Sequence, residues 1–523
     1  KGTGYSGQQE VVIIHFGTHQ TITSVVSSTN GTFSITFTND IMVDSVVVVT
    51  GRGLISGEIA TTLFEIKPAI TSIQPNSDKV GSIVTVQGAG FGLGKLVWID
   101  FGTKLTITTT ISDPVGSTFT VTFLVNTQTG GVKRVTATNE VGKIDATNFT
   151  ILPNITYLMP TSGTVGTKIT VQGTGFATGV VRIDFGTNQT ITTAQAGTNG
   201  TFSVNFTVNT QVYGSTTITA IDTIVSRFAT TTFFIRNKME IKPTAITRVG
   251  EVVSIWGCGY GYIEQVVVSF GTNPTITTTM TDANGTFSTT FITDSQPYGS
   301  KVITTRSISN LMNTVALTLE PKILSIIPAF AQVQDVITVI GGGYTGAAVI
   351  GIDFGTVKTI TTTNTSTNGT FSTTFIINTQ PGGTLVLTAG DSAGKKATSP
   401  YYVAAEIITL TPTQGILGTK VTIMGTGYKG GEVVTISFGT TVTIATTVSS
   451  THGTFSATFI TNTQGAGATA VTAKSTSAQY AITSFGVSAR ITLISPLSGC
   501  VGDTVTLKGD GYSVSGVGTI DFG

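Results

Sequence analysis

Pro160-Thr161-Ser162-Gly163-Thr164-Val165-Gly166-Thr167-Lys168-Ile169-Thr170-Val171-Gln172-Gly173-Thr174-Gly175-Phe176 leads to Asp184-Phe185-Gly186 and then to Thr201-Phe202-Ser203-Val204-Asn205-Phe206. Within this stretch, residues 168–172 and 201–206 alternate apolar and polar side chains. Such alternation is the period of a strand with one buried face, so Ile169, Val171, Phe202, Val204 and Phe206 are expected to point into a core. The stretch also recurs. Phe-Gly returns at Phe16, Phe101, Phe185, Phe270, Phe354, Phe438 and Phe522, in steps of 85, 84, 85, 84, 84 and 84 residues. A period held this closely is one structural unit used repeatedly.

Two further anchors keep step with Phe-Gly. Gly-x-Gly-aromatic ends at Tyr5, Phe91, Phe176, Tyr260, Tyr344, Tyr428 and Tyr512, in most copies 10 or 11 residues before Phe-Gly. Thr-Phe-x-x-x-Phe has its first ring at Phe33, Phe119, Phe202, Phe287, Phe371 and Phe455, 17 residues after Phe-Gly in five copies and 18 in the other. In the third copy the pattern predicts strands over 155–158, 168–172, 180–185, 189–193, 201–207, 216–221 and 228–235. Helical periodicity is absent and glycine punctuates the strands at roughly 8–12-residue spacing, as in an all-β sandwich. The excess of Thr suits exposed strand positions, being β-branched yet polar.

The expected fold is all-β, a tandem array of immunoglobulin-like β-sandwich domains of about 84–85 residues each. Residues 1–67 read as such a domain lacking its opening strands, and 68–152, 153–241, 242–320, 321–405 and 406–489 as complete ones. Residues 490–523 supply the opening strands of a seventh. The cut copies at both ends are read as a window on a longer array. The rival reading has the carboxy-terminal strands completing the amino-terminal module of the next subunit. No Gly/Ser tether separates the copies, so short stiff joints and a rod-like row are expected.

The opening segments Ile73-Gln74-Pro75, Leu158-Met159-Pro160, Ile327-Pro328, Leu410-Thr411-Pro412 and Ile494-Ser495-Pro496 complete the pattern. Pro-x-x-Gly, Gly-x-Gly-aromatic and Phe-Gly in this order resemble the IPT/TIG family of immunoglobulin-like domains. The resemblance implies the sandwich fold and interaction roles, in microbial surface and secreted proteins and as accessory modules of receptors and transcription factors, and it implies no single activity. The fourth copy departs from it, with Thr247-Arg248-Val249-Gly250 in place of the proline opening, which puts its first strand in question.

Only 10% of the residues are charged, against an ordinary share of about 25%. With 27 basic and 26 acidic side chains the formal net charge is +1, which offers nothing to attract nucleic acid or an anionic membrane. The longest apolar runs, such as 46–49, fall far short of the roughly 18 residues of a membrane span, so no direct membrane insertion is expected. Cys258 and Cys500 lie in different repeats at different positions, so disulfides do not hold the modules together.

No catalytic, cofactor-binding or metal-ligating set emerges, and the chain is not expected to be an enzyme. His15 occupies the slot filled elsewhere by Asp100, Asp184, Ser269, Asp353, Ser437 and Asp521; His452 replaces an Asn in a turn, and His19 is the only other histidine. The slot reads as a strand-end polar position. Its Asp stands alone, whereas calcium takes six to eight oxygens. Gly88-Ala89-Gly90-Phe91-Gly92-Leu93-Gly94 lacks the Lys-Ser/Thr ending of a phosphate loop. Asn-Gly-Thr at Asn30, Asn199, Asn284 and Asn368 reads as a type I′ hairpin turn and, being exposed, also as an N-glycosylation acceptor. Asn148, Asn154, Asn188, Asn205 and Asn364 carry the same acceptor pattern.

The functional expectation is an extracellular or cell-surface structural protein, a rigid repeat segment of a filament, stalk or surface layer. Its partners would be identical chains through self-association, and glycans or cell-surface polymers. The alternative is an adhesin or carbohydrate-binding surface protein, for which the fourth copy, with Trp256, Cys258, Tyr260 and Tyr262, is the best candidate.

Overall fold

The computed structural model describes residues 1–39 and 46–522; Gly523, the last residue of the seventh Phe-Gly, lies outside them. Two compact units are present: Lys1–Lys238 with Cys258–Ile263 and Asp282–Thr286, and Met239–Gly257, Glu264–Thr281 and Phe287–Gly523. Both are built of strands. No helix among the described residues is long and apolar enough to cross a membrane.

The third copy, in the first unit, shows the plan. Its strands are β1 (Asn154–Met159), β2 (Ser162–Gly163), β3 (Lys168–Thr174), β4 (Gly179–Phe185), β5 (Asn188–Ala196), β6 (Phe202–Thr207), β7 (Gly214–Asp222) and β8 (Phe228–Ile235). One sheet has the order β1-β3-β6 and the other β2-β8-β7-β4-β5. All neighbours are antiparallel except β2 and β8, which run parallel with Ser162 opposite Phe234. Two faced sheets in this order form an immunoglobulin-like sandwich, and the chain is a tandem array of them. The fifth copy, in the second unit, repeats the plan, from Lys322–Ile327, Val336–Gly342 and Phe371–Ile376 in one sheet to Val357–Asn364 at the edge of the other.

Each strand expected from the sequence of the third copy has a counterpart. The strand without a counterpart in the expectation is β2, whose two residues are too few to display a period. Ile169, Val171, Phe202 and Phe206 are buried as expected, while Val204 is only partly so and packs against their cluster. In the fourth copy a strand does form over Lys238–Lys242, ahead of Pro243. The proline opening is therefore present there. From Pro243 to Gly250 is one residue longer than from Pro160 to Gly166, which shifts the motif out of register.

The fixed spacing of the three anchors has a packing cause. The aromatic of Gly-x-Gly-aromatic meets the first ring of Thr-Phe-x-x-x-Phe edge to face, as in Phe176–Phe202 at 4.9 Å between centroids. The Phe of Phe-Gly meets the second ring, as in Phe185–Phe206 at 5.4 Å, and also Phe233 at 6.0 Å. The same two ring pairs recur as Tyr5–Phe33 and Phe16–Phe37, Phe91–Phe119 and Phe101–Phe123, Tyr344–Phe371 and Phe354–Phe375, and Tyr428–Phe455 and Phe438–Phe459. Ring pairs of this geometry add about 0.5–1.5 kcal/mol beyond the area they bury.

Phe185 is fully buried and touches two other rings. Phe185→Ala is expected to destabilise the third sandwich by about 3–5 kcal/mol. Calorimetry should show one module melting early while the remaining transitions stay in place.

Candidate functional site: the joint between successive repeats

A buried glutamine lies behind every complete Phe-Gly turn. Gln128, Gln211, Gln296, Gln380 and Gln464 follow the Phe of Phe-Gly by 27, 26, 26, 26 and 26 residues. The carboxamide of Gln296 donates to the Phe270 carbonyl at 2.7 Å and accepts the Thr272 N–H at 3.1 Å. Gln128 does the same with Phe101 at 2.9 Å and Thr103 at 2.9 Å, and Gln211 and Gln464 repeat the pair. Gln380 accepts from Thr356. The turn glycine is required here: Gly186 has φ +57°, and a Cβ on it would lie 2.6 Å from the Gln211 Oε1.

Two residues beyond each glutamine the chain reaches the next copy. In the first unit the Gly130 N–H donates to the Phe176 carbonyl at 3.0 Å and the Tyr213 N–H to the Tyr260 carbonyl at 3.0 Å. In the second, Tyr298 donates to Tyr344 at 2.8 Å, Gly382 to Tyr428 at 3.0 Å and Ala466 to Tyr512 at 3.2 Å. Every acceptor is the aromatic of a Gly-x-Gly-aromatic turn. The second glycine of that turn lies against the last carbonyls of the preceding copy. Gly175 has φ +75°, and a Cβ there would meet the Leu152 oxygen at 2.5 Å; the corresponding approach is 2.6 Å for Gly259 to Arg236 and for Gly343 to Glu320. The joint is thus a main-chain contact from both sides. The Lys395 ammonium, 4.2 Å from the Tyr298 ring centroid, adds a cation–π contact at the joint of the fourth and fifth copies.

The slot before Phe-Gly caps a bulge in the neighbouring edge strand. Asp100, Asp184 and Asp353 accept the N–H of Thr106, Thr190 and Thr359 at 2.7–2.8 Å, and the His15 Nδ1 accepts that of Thr21 at 2.9 Å. These four threonines all have positive φ, from 48° to 62°. Ahead of some of these strands stands a glutamate that caps a distant hairpin. Glu10 is buried and accepts from the N–H groups of Ser6, Ile55 and Ser56 and from the Ser56 hydroxyl. The Ser56 N–H foremost, with the hydroxyl and the other amides, outweighs burial and lowers its pKa to about 2. The Glu432 pKa also falls to about 2, led by the Ser477 side chain.

Each Asn-Gly turn lies beside this joint. Asn30, Asn199, Asn284 and Asn368 are exposed, while the glycines that follow them are buried. The turn is not type I′, because only the glycine of each pair has positive φ. The asparagine instead sits inside a longer loop closed by pairs such as Ser28 N–H to Thr32 carbonyl. Asn148, Asn205 and Asn364 are exposed strand residues, and Asn154 and Asn188 are half-buried. Among the described residues no three His, Cys, Asp or Glu side chains gather as metal ligands would. In the fourth copy Tyr260 is buried but Trp256 is 44% exposed and Tyr262 67%. The sequence reading passed over the glutamines, although their constant distance from Phe-Gly was there to see.

No protein-family model matches the chain, and neither does any curated protein sequence. Among solved structures it is similar to native Escherichia coli α2-macroglobulin at 10% identity and TM-score 0.16, covering 94% of this chain and 45% of that one. The chain therefore spans less than half of that protein. It is also similar to a tetra-tandem repeat from the extending region of a large adhesion protein, at 13% identity and TM-score 0.19, covering 64% of this chain and 98% of that one. A third is invasin, a bacterial integrin-binding protein, at 14% identity and TM-score 0.18, covering 68% and 82%. At such values these likenesses carry no functional inference.

Gln296→Leu leaves the Phe270 carbonyl and the Thr272 N–H without their partner and is expected to cost about 1–3 kcal/mol, read as a lower denaturant midpoint for the fourth module. The two glutamates give a pH dependence. Their folded pKa values lie below the ordinary 4.5, so their stabilisation is complete above pH 4.5 and is lost as pH falls towards 2. Denaturation midpoints measured across that window should fall, and Glu10→Gln with Glu432→Gln should flatten the slope.

Proposed function

We propose that the chain is a load-carrying segment of an extracellular or cell-surface array, in which IPT/TIG-type modules are joined to form a filament, stalk or surface layer. The observation that carries this reading is the joint. The same N–H to carbonyl bond recurs at five successive boundaries, from Gly130–Phe176 to Ala466–Tyr512, and is anchored each time to a clamped Phe-Gly turn. A connection reproduced with such constancy restrains neighbouring copies, whereas a mere tether would need neither the buried carboxamide nor the glycine seated on a carbonyl. The microbial surface is the proposed location. The weakly charged, Thr-rich strand faces suit lateral contact between identical chains, and the exposed asparagines, foremost Asn148, Asn205 and Asn364, are proposed sites for N-glycans. No enzymatic role is proposed.

A second reading, adhesion to glycans or cell-surface polymers, is favoured by Trp256, an indole 44% exposed on the sheet of the fourth copy.

Electron microscopy of the native material separates the two: ordered filaments or sheets are expected, and dispersed single chains that bind a glycan array through Trp256 would sink the structural reading. Intact mass checks glycosylation, since 54.0 kDa is the bare chain.

A further inference from the structure

We propose that the four Asn-Gly bonds beside the joints are latent deamidation sites held shut by the fold, so that a joint once opened is chemically marked. In the reaction the glycine nitrogen gives up its proton and attacks the asparagine Cγ. An N–Cγ bond forms, the carboxamide C–N bond breaks, and the side-chain nitrogen leaves as ammonia carrying that proton. Water then opens the resulting succinimide at either carbonyl, giving Asp or isoAsp, one mass unit heavier than the starting chain. Asn-Gly is the dipeptide most open to this attack, since no side chain shields the nitrogen.

The fold withholds the nitrogen while leaving the carboxamide in water. Gly31, Gly200, Gly285 and Gly369 donate their N–H to Ser28, Gly197, Asp282 and Ser366 at 2.9, 2.9, 3.1 and 3.0 Å. The carbonyls of the same glycines accept the N–H of Tyr5, Phe176, Tyr260 and Tyr344 at 3.0–3.1 Å. Three of those aromatics are the residues whose own carbonyls the preceding copy holds, through Gly130, Tyr213 and Tyr298. Each glycine peptide is thereby pinned on both sides, and the outer pin belongs to the joint. At Asn199 the side chain is held as well, its Oδ1 accepting from the Thr201 N–H and hydroxyl at 3.2 and 2.8 Å.

Conversion would not be reversible in place. Gly200 has no slack: a Cβ on it would meet the Gln128 oxygen, the Phe176 oxygen and the Thr129 Cα, each at 2.7 Å. The isoAsp product lengthens the main chain by one carbon next to this glycine and adds a negative charge, so the Gly130–Phe176 bond could not re-form in the same position. An array that has been opened would stay open at that joint.

Peptide mapping by mass spectrometry tests this on the full chain incubated at mildly alkaline pH, in buffer and in urea. Deamidation at Asn30, Asn199, Asn284 and Asn368 is expected to be slower in buffer by about tenfold or more, the factor given by 1.4 kcal/mol of local opening. Equal rates in buffer and urea overturn the proposal. Gly130→Pro removes one joint donor. In buffer it is expected to accelerate Asn199 while Asn284 and Asn368 keep the parent rate. No acceleration at Asn199, or an equal rise at all three, overturns the link to the joint.

Discussion

The carbonyl of Phe176 lies between two sandwiches, accepting the Gly130 N–H from the copy before it while the Phe176 N–H donates to Gly200 in its own copy. A single such hydrogen bond adds only about 0.5–1.5 kcal/mol, too little to hold two domains in register alone. What gives it effect is that neither end can drift. The donor follows a glutamine clamped to a buried turn, and the acceptor belongs to an aromatic packed at 4.9 Å against Phe202. Core packing in one sandwich and turn geometry in the previous one therefore converge on the same bond.

This convergence explains why the three anchors keep their spacing. The two glycines of Gly-x-Gly-aromatic have separate duties. Gly173 lies under the Phe202 ring, where any side chain would collide, and Gly175 lies against Leu152 of the preceding copy. Inserting a residue between the anchors would part the ring pairs within the sandwich and move the joint carbonyl away from its donor. Period and joint are one constraint seen at two scales.

The strands, the buried phenylalanines and the sandwich class were legible because alternation and repeat spacing are properties of a sequence. What escaped was polar and non-local. Gln211 reads as an ordinary loop residue until Phe185 and Thr187 are seen on either side of its carboxamide. The parallel strand at Ser162–Gly163 is defined by its partner at the far end of the module. Asn-Gly suggested the tight hairpin that favours it most often, whereas here the asparagine keeps an ordinary backbone and the glycine alone turns, because its carbonyl has to face the aromatic of the joint. Trp256 replaces Gln172 of the third copy on an outward-facing strand position, so its size suggested core where the strand's alternation points to solvent.

Copies within one chain also act as substitutions made in the same scaffold. The slot before Phe-Gly holds Asp in the second, third and fifth copies and His in the first, and in each the threonine six residues on has positive φ and donates to that side chain. In the fourth and sixth copies the slot holds Ser269 and Ser437, and Thr275 and Thr443 do not have positive φ. A serine hydroxyl reaches less far than a carboxylate or an imidazole, so without the longer acceptor the backbone does not enter the costly left-handed region. His15 matches the aspartates because a ring nitrogen can accept the same N–H. The recurring Asp is thus accounted for by one hydrogen bond to a bulge, and a cation is not needed to explain its presence at this position.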